Sequence, residues 1–196
     1  MRRHNAPAGK IGGSFMGVIL KLREVRMVYP HLAEPDRWEK YSVGALVPQG
    51  SKAYADLLSA LKDAWADAAD KYGRAQFESN PTESRLFRAA YIRVGGGEDS
   101  KGRPLPDWMR GYVAFGIQSK TPVPVVDGNL EPIAVTPSNI YSGQACNISL
   151  DLVPFVNAES HNAGLSRYLR SVVVLGGGEA IATNAGQFTD IVEEWS

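Results

Sequence analysis

The sequence predicts one mainly β domain with a single main amphipathic helix, because two hydrophobic periodicities divide the chain unequally. Apolar and polar residues alternate in several separate segments, whereas only one segment repeats its apolar residues every three or four positions. The 196 residues are 44% hydrophobic and 21% charged, a composition that excludes a wholly disordered chain. We place the domain at residues 14–189, after a flexible basic arm at residues 1–13 and before a short acidic tail at residues 190–196.

The strands are predicted from alternation and from the residues that end it. Over Val18–Tyr29, leucines alternate with charged residues, and a change of phase between Leu22 and Val25 predicts a bulge. A second strand is expected over Trp38–Val47, where a proline closes it. Further strands are predicted at Leu86–Val94, Arg110–Lys120, Gly143–Val156 and Tyr168–Leu175.

The helix is predicted over residues 51–72, where large apolar residues recur at helical spacing. Ser51 is the expected N-cap, and Gly73 is expected to end the helix in a left-handed conformation. The connections are predicted as a polar linker at residues 77–84, an exposed, flexible loop at residues 95–108 and a proline-rich stretch at residues 121–137 that precludes a central strand.

Charge is balanced overall but unevenly distributed, with 21 Lys and Arg against 21 Asp and Glu. The first 26 residues carry six Lys or Arg against Glu24, whereas residues 121–166 carry four acidic residues and no Lys or Arg. This asymmetry indicates either an anionic partner for part of the surface or an ordinary scatter of solvated charge. Apolar runs fall far short of the roughly 20 residues that a bilayer requires, so we expect no membrane association and no signal peptide.

The residue patterns of common enzymes are missing from the sequence. Neither a phosphate-binding G-x-x-x-x-G-K-[ST] loop nor a G-x-S-x-G elbow occurs, and the three histidines lie far apart. The single cysteine, Cys146, has no neighbouring base and is expected to be a small buried residue. Asp36 and Glu39 are close in sequence, but a nuclease would need a larger carboxylate cluster. We therefore predict no catalytic residues, no metal and no cofactor.

Cationic and aromatic side chains occur together in the predicted strands. Lys and Arg neutralise phosphates, and flat rings stack on unpaired bases, each stack being worth about 1–3 kcal/mol. The combination is typical of sequence-independent binding to single-stranded nucleic acid, but aromatic residues also favour strands for packing reasons alone. The candidate phosphate-contacting residues are Arg23, Arg26, Lys40, Arg88, Arg93, Arg110 and Lys120, and the candidate stacking residues are Tyr29, Trp38, Tyr41 and Tyr91.

Four segments, in the same order, resemble a family of phage single-stranded DNA-binding proteins. Residues 25–35, VRMVYPHLAEP, resemble its R-x-S-Y-x-x-L-F-x-P opening, and residues 41–48 resemble its second strand. Residues 140–149 resemble its I-Y-S-G element, and residues 162–173 its N-K-G-I stretch and final strand. The resemblance implies an OB-fold, a five-stranded Greek-key barrel, and a role in phage DNA replication or recombination in the host cytoplasm.

Protein partners are expected at two places. The tail, with Glu193, Glu194 and Trp195, is expected to compete with nucleic acid for a cationic groove or to dock onto a basic replication protein, unless it is an ordinary chain end. Exposed strand edges would allow a homodimer. Two alternative functions remain open at this point: a phage structural or decoration protein that assembles through protein contacts, and a small nuclease or resolvase.

Overall fold

The computed structural model describes residues 17–99, 101–157 and 163–182, and this part of the chain is mainly β. The predicted arm at residues 1–13 and the predicted tail at residues 190–196 lie outside the described residues. The described elements are β1 (Val18–His31), β2 (Tyr41–Pro48), α1 (Lys52–Tyr72), α2 (Glu83–Ala89), β3 (Arg93–Val94), β4 (Tyr112–Ser119), β5 (Val125–Asp127), β6 (Ala145–Val156) and β7 (Ala163–Val174). A 3-10 turn at Asp107–Met109 precedes β4. Neither of the two described helices combines the length and apolar character needed to cross a bilayer.

The strands form one sheet in the order β3-β4-β2-β1-β6-β7-β5. β4 also pairs in parallel with β7 at Gln118 and Tyr168, so β4, β2, β1, β6 and β7 make a closed ring of paired neighbours. The remaining strands, β3 and β5, have two and three residues and lie outside this ring. The proline-rich stretch thus contributes only the short edge strand β5, as the missing proline N–H groups require.

The bulge predicted in β1 is confirmed by a register shift against β6 between Leu22 and Val25. An extra residue at this point changes which side chains face the core. Leu22, Val25 and Met27 are all completely buried, although two residues separate the first pair and one separates the second. Because of the bulge, β1 contributes buried side chains to the main core both before and after the point where its alternation of inward and outward residues shifts.

Helix α1 confirms the predicted helix and both of its ends. The Ser51 side chain accepts a hydrogen bond from the Tyr54 N–H at 3.1 Å. Gly73, with φ of 94°, ends the helix in a conformation that favours glycine, and its N–H bonds to the Ala69 carbonyl. The apolar face buries Leu57, Leu61 and Trp65, among others, and packs mainly on β1 and β6.

The strand predicted at Leu86–Val94 is wrong over most of its length, because residues 83–89 form helix α2. The Thr82 side chain accepts a hydrogen bond from the Arg85 N–H, which caps the helix, and only Arg93 and Val94 are in a strand. The polar linker predicted just before it also contributes to the core. Phe77 is completely buried, with its ring centroid 4.7 Å from that of Trp65.

The loop predicted as exposed at residues 95–108 is exposed over most of its described residues, but Leu105 in this loop belongs to a second apolar cluster. Leu105 and the adjoining Met109 are buried against Val28, Leu46 and Ala114, on the side of the sheet opposite the main core. Leu105 lies within this largely polar segment, and Met109 directly follows it. Their burial removes apolar surface from water and holds the loop against β1, β2 and β4.

The cap of α1 gives a stability prediction. Ser51→Ala removes the acceptor of the Tyr54 N–H, so the free energy of unfolding should fall by about 1 kcal/mol in urea denaturation. Ser59→Ala, at an exposed position inside α1, is the matched control and should change stability by less than about 0.5 kcal/mol. Equal effects of the two substitutions would show that Ser51 does not cap the helix.

Candidate nucleic-acid interface

The strands β1, β2 and β4 present two different faces. Residues paired across neighbouring strands share a face, so the register identifies the members of each. The inner face carries Met27, Ala45 and Phe115, which are completely buried in the main core. The other face, called here the outer face, carries Arg26, Val28, Ser42, Gly44, Leu46, Ala114, Gly116 and Gln118.

A shallow cleft, open to solvent, lies on the outer face. Gly44 pairs directly with Gly116, so no side chain rises from this part of the sheet, and the cleft has a backbone floor. Tyr29 and Trp38 contribute aromatic side chains to its walls. The cleft, called here the aromatic cleft, is lined by Tyr29, His31, Asp36, Trp38, Ser42, Val43, Gly44, Gly116, Ile117 and Gln118.

Tyr29 reaches the aromatic cleft because β1 leaves its regular alternation there. The register against β2 shifts between Val28 and His31, and Tyr29 has a left-handed φ of 50°. Its N–H donates to the Ser142 Oγ at 3.0 Å, which fixes the backbone. Its ring centroid lies 6.3 Å from that of Trp108 in the loop before β4. The tyrosine is thus held between strand and loop, with its ring half-buried.

Trp38 lies in the turn that joins β1 to β2. Its backbone N–H donates to the Asp36 Oδ1 at 2.9 Å, and the residue is half-buried. The Arg37 guanidinium lies 4.1 Å from the centroid of the indole ring, within the range of a cation–π interaction. A guanidinium can cover only one face of the ring.

Two lysines adjoin the paired ends of β2 and β4. Tyr41 and Ser119 are the last residues that pair between these strands; Lys40 directly precedes Tyr41, and Lys120 directly follows Ser119. Lys120 is exposed and Lys40 is half-buried. The structure therefore brings Tyr29 and Trp38 together in the aromatic cleft, and Lys40 and Lys120 lie beside the strand ends next to its Ser42–Gln118 pair.

Arg26 and Arg93 occupy the other end of the outer face. Arg26 pairs with Leu46, and Arg93 pairs with Ala114. The Arg26 Nη2 donates to the Glu179 carbonyl at 3.3 Å. Burial lowers the pKa of Arg93, an effect that the nearby negative charge of Asp99 opposes. Both arginines share the outer face with the aromatic cleft but lie in the row that the loop before β4 covers.

Three other predicted residues lie away from the aromatic cleft. Arg23 lines a separate groove with Lys21 and Lys52, beside β1 and β6. Arg110 is exposed, with its Nε 2.9 Å from the Asp107 Oδ1. Tyr41 alternates with Ser42, so it lies on the side of the sheet that carries the main core rather than on the outer face.

Two predicted residues belong to α2 and the segment after it. Arg88 is exposed in the last turn of α2. Tyr91 is 45% exposed, with a left-handed φ of 51° and the Arg167 guanidinium 5.3 Å from its ring centroid. Burial lowers the pKa of Arg167 to about 10, so this guanidinium remains charged at neutral pH beneath the tyrosine. Arg167 also donates to the Ala90 carbonyl, which ties β7 to the end of α2.

Several residues that line the aromatic cleft were not among the binding residues predicted from the sequence. The alternation of residue types in β2 would have identified some of them. Small or polar Ser42 and Gly44 alternate with apolar Val43 and Ala45, a pattern that assigns the first pair to a non-core face. No local pattern joins them to a partner strand. The cleft residues missed in this way are His31, Asp36, Ser42, Gly44, Gly116 and Gln118, and Trp108 was missed beside them.

The single cysteine, Cys146, is a small buried residue, as its sequence context predicted. Cys146 is buried, and desolvation raises the pKa of its thiol to about 12, so the thiol is protonated at neutral pH. Within the described part of the chain, no group of three His, Cys, Asp or Glu residues is arranged to hold a metal ion. The predicted tail residues Glu193, Glu194 and Trp195 lie outside the described residues.

Known proteins resemble this chain in fold and in sequence profile. The single-stranded DNA-binding protein from bacteriophage Enc34 is 17% identical, with a TM-score of 0.63 over 89% of this chain and 90% of that one. The same phage protein in complex with ssDNA is 18% identical, with a TM-score of 0.61 over 84% and 90%. The gp2.5 single-stranded DNA-binding protein of bacteriophage T7 is 17% identical, with a TM-score of 0.50 over 88% and 93%.

A search of curated protein sequences gives no significant match. A family model, described as the ssDNA-binding protein of Enterobacter phage Enc34, matches residues 16–194, almost the whole chain. This match confirms the family that the four sequence segments predicted. The chain belongs to the Enc34 ssDNA-binding protein family.

Proposed function

We propose that this protein binds single-stranded DNA without base specificity and without catalysis, in phage DNA replication or recombination in the host cytoplasm. The observation that carries the proposal is the aromatic cleft, which Tyr29 and Trp38 line, with Lys40 and Lys120 beside the neighbouring paired ends of β2 and β4. Rings for bases and cations for phosphates are the two features that unpaired strands require. Membership of a family named for ssDNA binding supports the same function.

The proposal includes the fold: the closed ring of β1, β2, β4, β6 and β7 is an OB barrel. Five paired strands close on themselves with α1 packed on β1 and β6, and phage ssDNA-binding proteins have a similar fold. OB-folds bind oligonucleotides across their second and third strands. In this chain those strands are β2 and β4, which supply Gly44 and Gly116 to the cleft floor.

The cleft geometry gives each side chain a role. Bases stack on Tyr29 and Trp38, and the glycine floor lets the flat rings approach the sheet backbone. Ser42 and Gln118 offer hydrogen bonds to base edges or sugars from the same face. Lys40 and Lys120 neutralise phosphates beside the neighbouring strand ends. Because every base has a π-face, this arrangement tolerates any base sequence.

A duplex does not fit this mode of binding. Paired bases are stacked on one another, so exposing a π-face to Tyr29 or Trp38 costs unstacking and unpairing energy of a few kcal/mol. The affinity for unpaired strands should therefore exceed the affinity for duplex DNA.

The other binding residues predicted from the sequence do not line the aromatic cleft. Arg26, Arg93, Arg88 and Tyr91 remain proposed extensions of the interface. Arg23 and Arg110 remain predictions at a distance from the cleft. Homodimerisation also remains a prediction: the strands outside the ring, β3 and β5, offer short edges. Family membership favours the DNA-binding function over a decoration protein, a nuclease or a resolvase.

Trp38 is the first residue to test. Trp38→Ala should weaken binding to labelled oligo-dT by about 1–3 kcal/mol, measured by fluorescence anisotropy, because the stacking surface is lost. Trp38→Phe retains a flat ring and should restore most of the affinity. If the alanine variant binds as tightly as the wild type, Trp38 does not stack on DNA.

Salt dependence tests the two lysines. Affinity should fall with rising salt, and Lys40→Gln or Lys120→Gln should each reduce the slope of log K against log salt by about 0.7, as one phosphate contact on a single strand predicts. Lys62→Gln, exposed on α1, is the matched control and should leave the slope unchanged. An affinity independent of salt would exclude phosphate contacts as a source of binding energy.

A further inference from the structure

We infer that Asp36 is a positioning residue, which holds the turn between β1 and β2 so that Trp38 is ready to stack before DNA arrives. The inference rests on the proposed function and assigns a role to a carboxylate that lines a cleft proposed for a polyanion. A negative charge there opposes the binding of phosphates, so its presence needs a compensating role. The hydrogen bonds of Asp36 supply that role.

The Asp36 carboxylate accepts hydrogen bonds with both of its oxygens. Oδ1 accepts from the Trp38 N–H at 2.9 Å and from the Lys40 N–H at 3.1 Å, and Oδ2 accepts from the Ser42 hydroxyl at 3.3 Å. The Asp36 N–H donates to the Lys40 carbonyl at 2.8 Å, which closes the turn. One side chain thus bonds to the backbone of the stacking residue, to that of a phosphate-contacting residue and to a side chain in the cleft.

The same turn recurs at two other places in the described part of the chain, and in each an aspartate begins the turn. The Asp127 Oδ1 accepts from the Asn129 N–H at 2.8 Å and the Glu131 N–H at 3.0 Å. The Asp99 Oδ1 accepts from the Lys101 N–H at 2.9 Å and the Arg103 N–H at 2.8 Å. In all three turns the acceptor bonds the second and fourth residues after it, as in an Asx turn extended by two residues.

The backbone of the three turns matches as well. In each, the N–H of the third residue after the aspartate bonds to the aspartate carbonyl, and that residue has a positive φ: 59° at Glu39, 67° at Leu130 and 75° at Gly102. The left-handed conformation is unfavourable for Glu39, which has a Cβ, so the surrounding bonds must hold it. Removing the Asp36 carboxylate would let the turn relax and release Trp38.

The position of the first turn separates it from the other two. The turn from Asp36 to Lys40 carries Arg37 and Trp38, with the guanidinium on the indole, and it borders the aromatic cleft. The turn at Asp127 follows β5, outside the ring, and none of its residues lines the cleft. The chain therefore contains a matched control: an equivalent carboxylate in an equivalent turn outside the aromatic cleft.

The test compares Asp36→Ala, Asp36→Asn and Asp127→Ala by oligo-dT anisotropy, with urea denaturation of each variant. Asp36→Ala should lower the affinity at least about fivefold, the lower limit for losing one stacked base. Asp36→Asn keeps the Oδ1 acceptor and removes the charge, so it should bind as tightly as the wild type or more tightly. Asp127→Ala should leave the affinity unchanged, even where it lowers stability as much as Asp36→Ala.

The sign of the effect decides the question. If Asp36 acts only as an unfavourable charge, both Asp36 substitutions should tighten binding, and that result would overturn the inference. If it acts only through general stability, Asp36→Ala and Asp127→Ala should weaken binding in proportion to their loss of stability, and that result would also overturn it.

A double-mutant cycle with Trp38→Ala links the two residues. If Asp36 works through Trp38, Asp36→Ala should cause little further loss of affinity in the Trp38→Ala background; additive losses would contradict the inference.

Failure of this inference can be distinguished from failure of the proposed function. Lack of oligo-dT binding by the wild type would refute the function itself, whereas normal wild-type binding, weakened by Trp38→Ala but not by Asp36→Ala, would refute only the positioning role.

Discussion

The register of β1, β2 and β4 is the constraint on which both the core and the cleft depend. Cross-strand partners share a face, so one register sends Met27, Ala45 and Phe115 inward and sets Gly44 beside Gly116 on the outer face. A slip of one residue in any of these strands would exchange its two faces. The burial of the inner residues therefore fixes the floor of the aromatic cleft, so the core and the proposed binding surface depend on the same pairing.

The outer face is divided by what covers it. At one end Leu105 and Met109 pack on Leu46 and Ala114. The loop before β4 therefore covers apolar residues of the sheet that would otherwise be exposed to solvent. At the other end the paired glycines offer nothing apolar to bury, and the sheet stays open. Tyr29 lies at this boundary, in contact with Trp108 on the covered side and with the aromatic cleft on the open side.

Preorganisation is the property that the proposed binding of a flexible polymer requires of a small cleft. Ordering a side chain or loop on binding costs free energy, and that cost is subtracted from the affinity. In this chain the cost is met during folding: the Ser142 hydroxyl holds the backbone of Tyr29, and the Asp36 carboxylate holds the backbone of Trp38 and Lys40. If DNA binds as proposed, the DNA strand loses conformational freedom, but the protein surface loses little.

Local sequence signals determined the long elements, the bulge and the family of this protein. Ser51, Gly73 and the apolar spacing between them fixed α1, and the phase change between Leu22 and Val25 located the bulge, because each depends on neighbours within a few residues. The candidate pair Tyr29 and Trp38 also came from sequence, through the types of side chain that bases require. Only the tertiary structure decided that Tyr41 faces away, that Leu105 is buried and that Gly44 meets Gly116. Those outcomes depend on the pairing of strands about 70 residues apart, and a register between distant strands leaves no periodic trace in either of them.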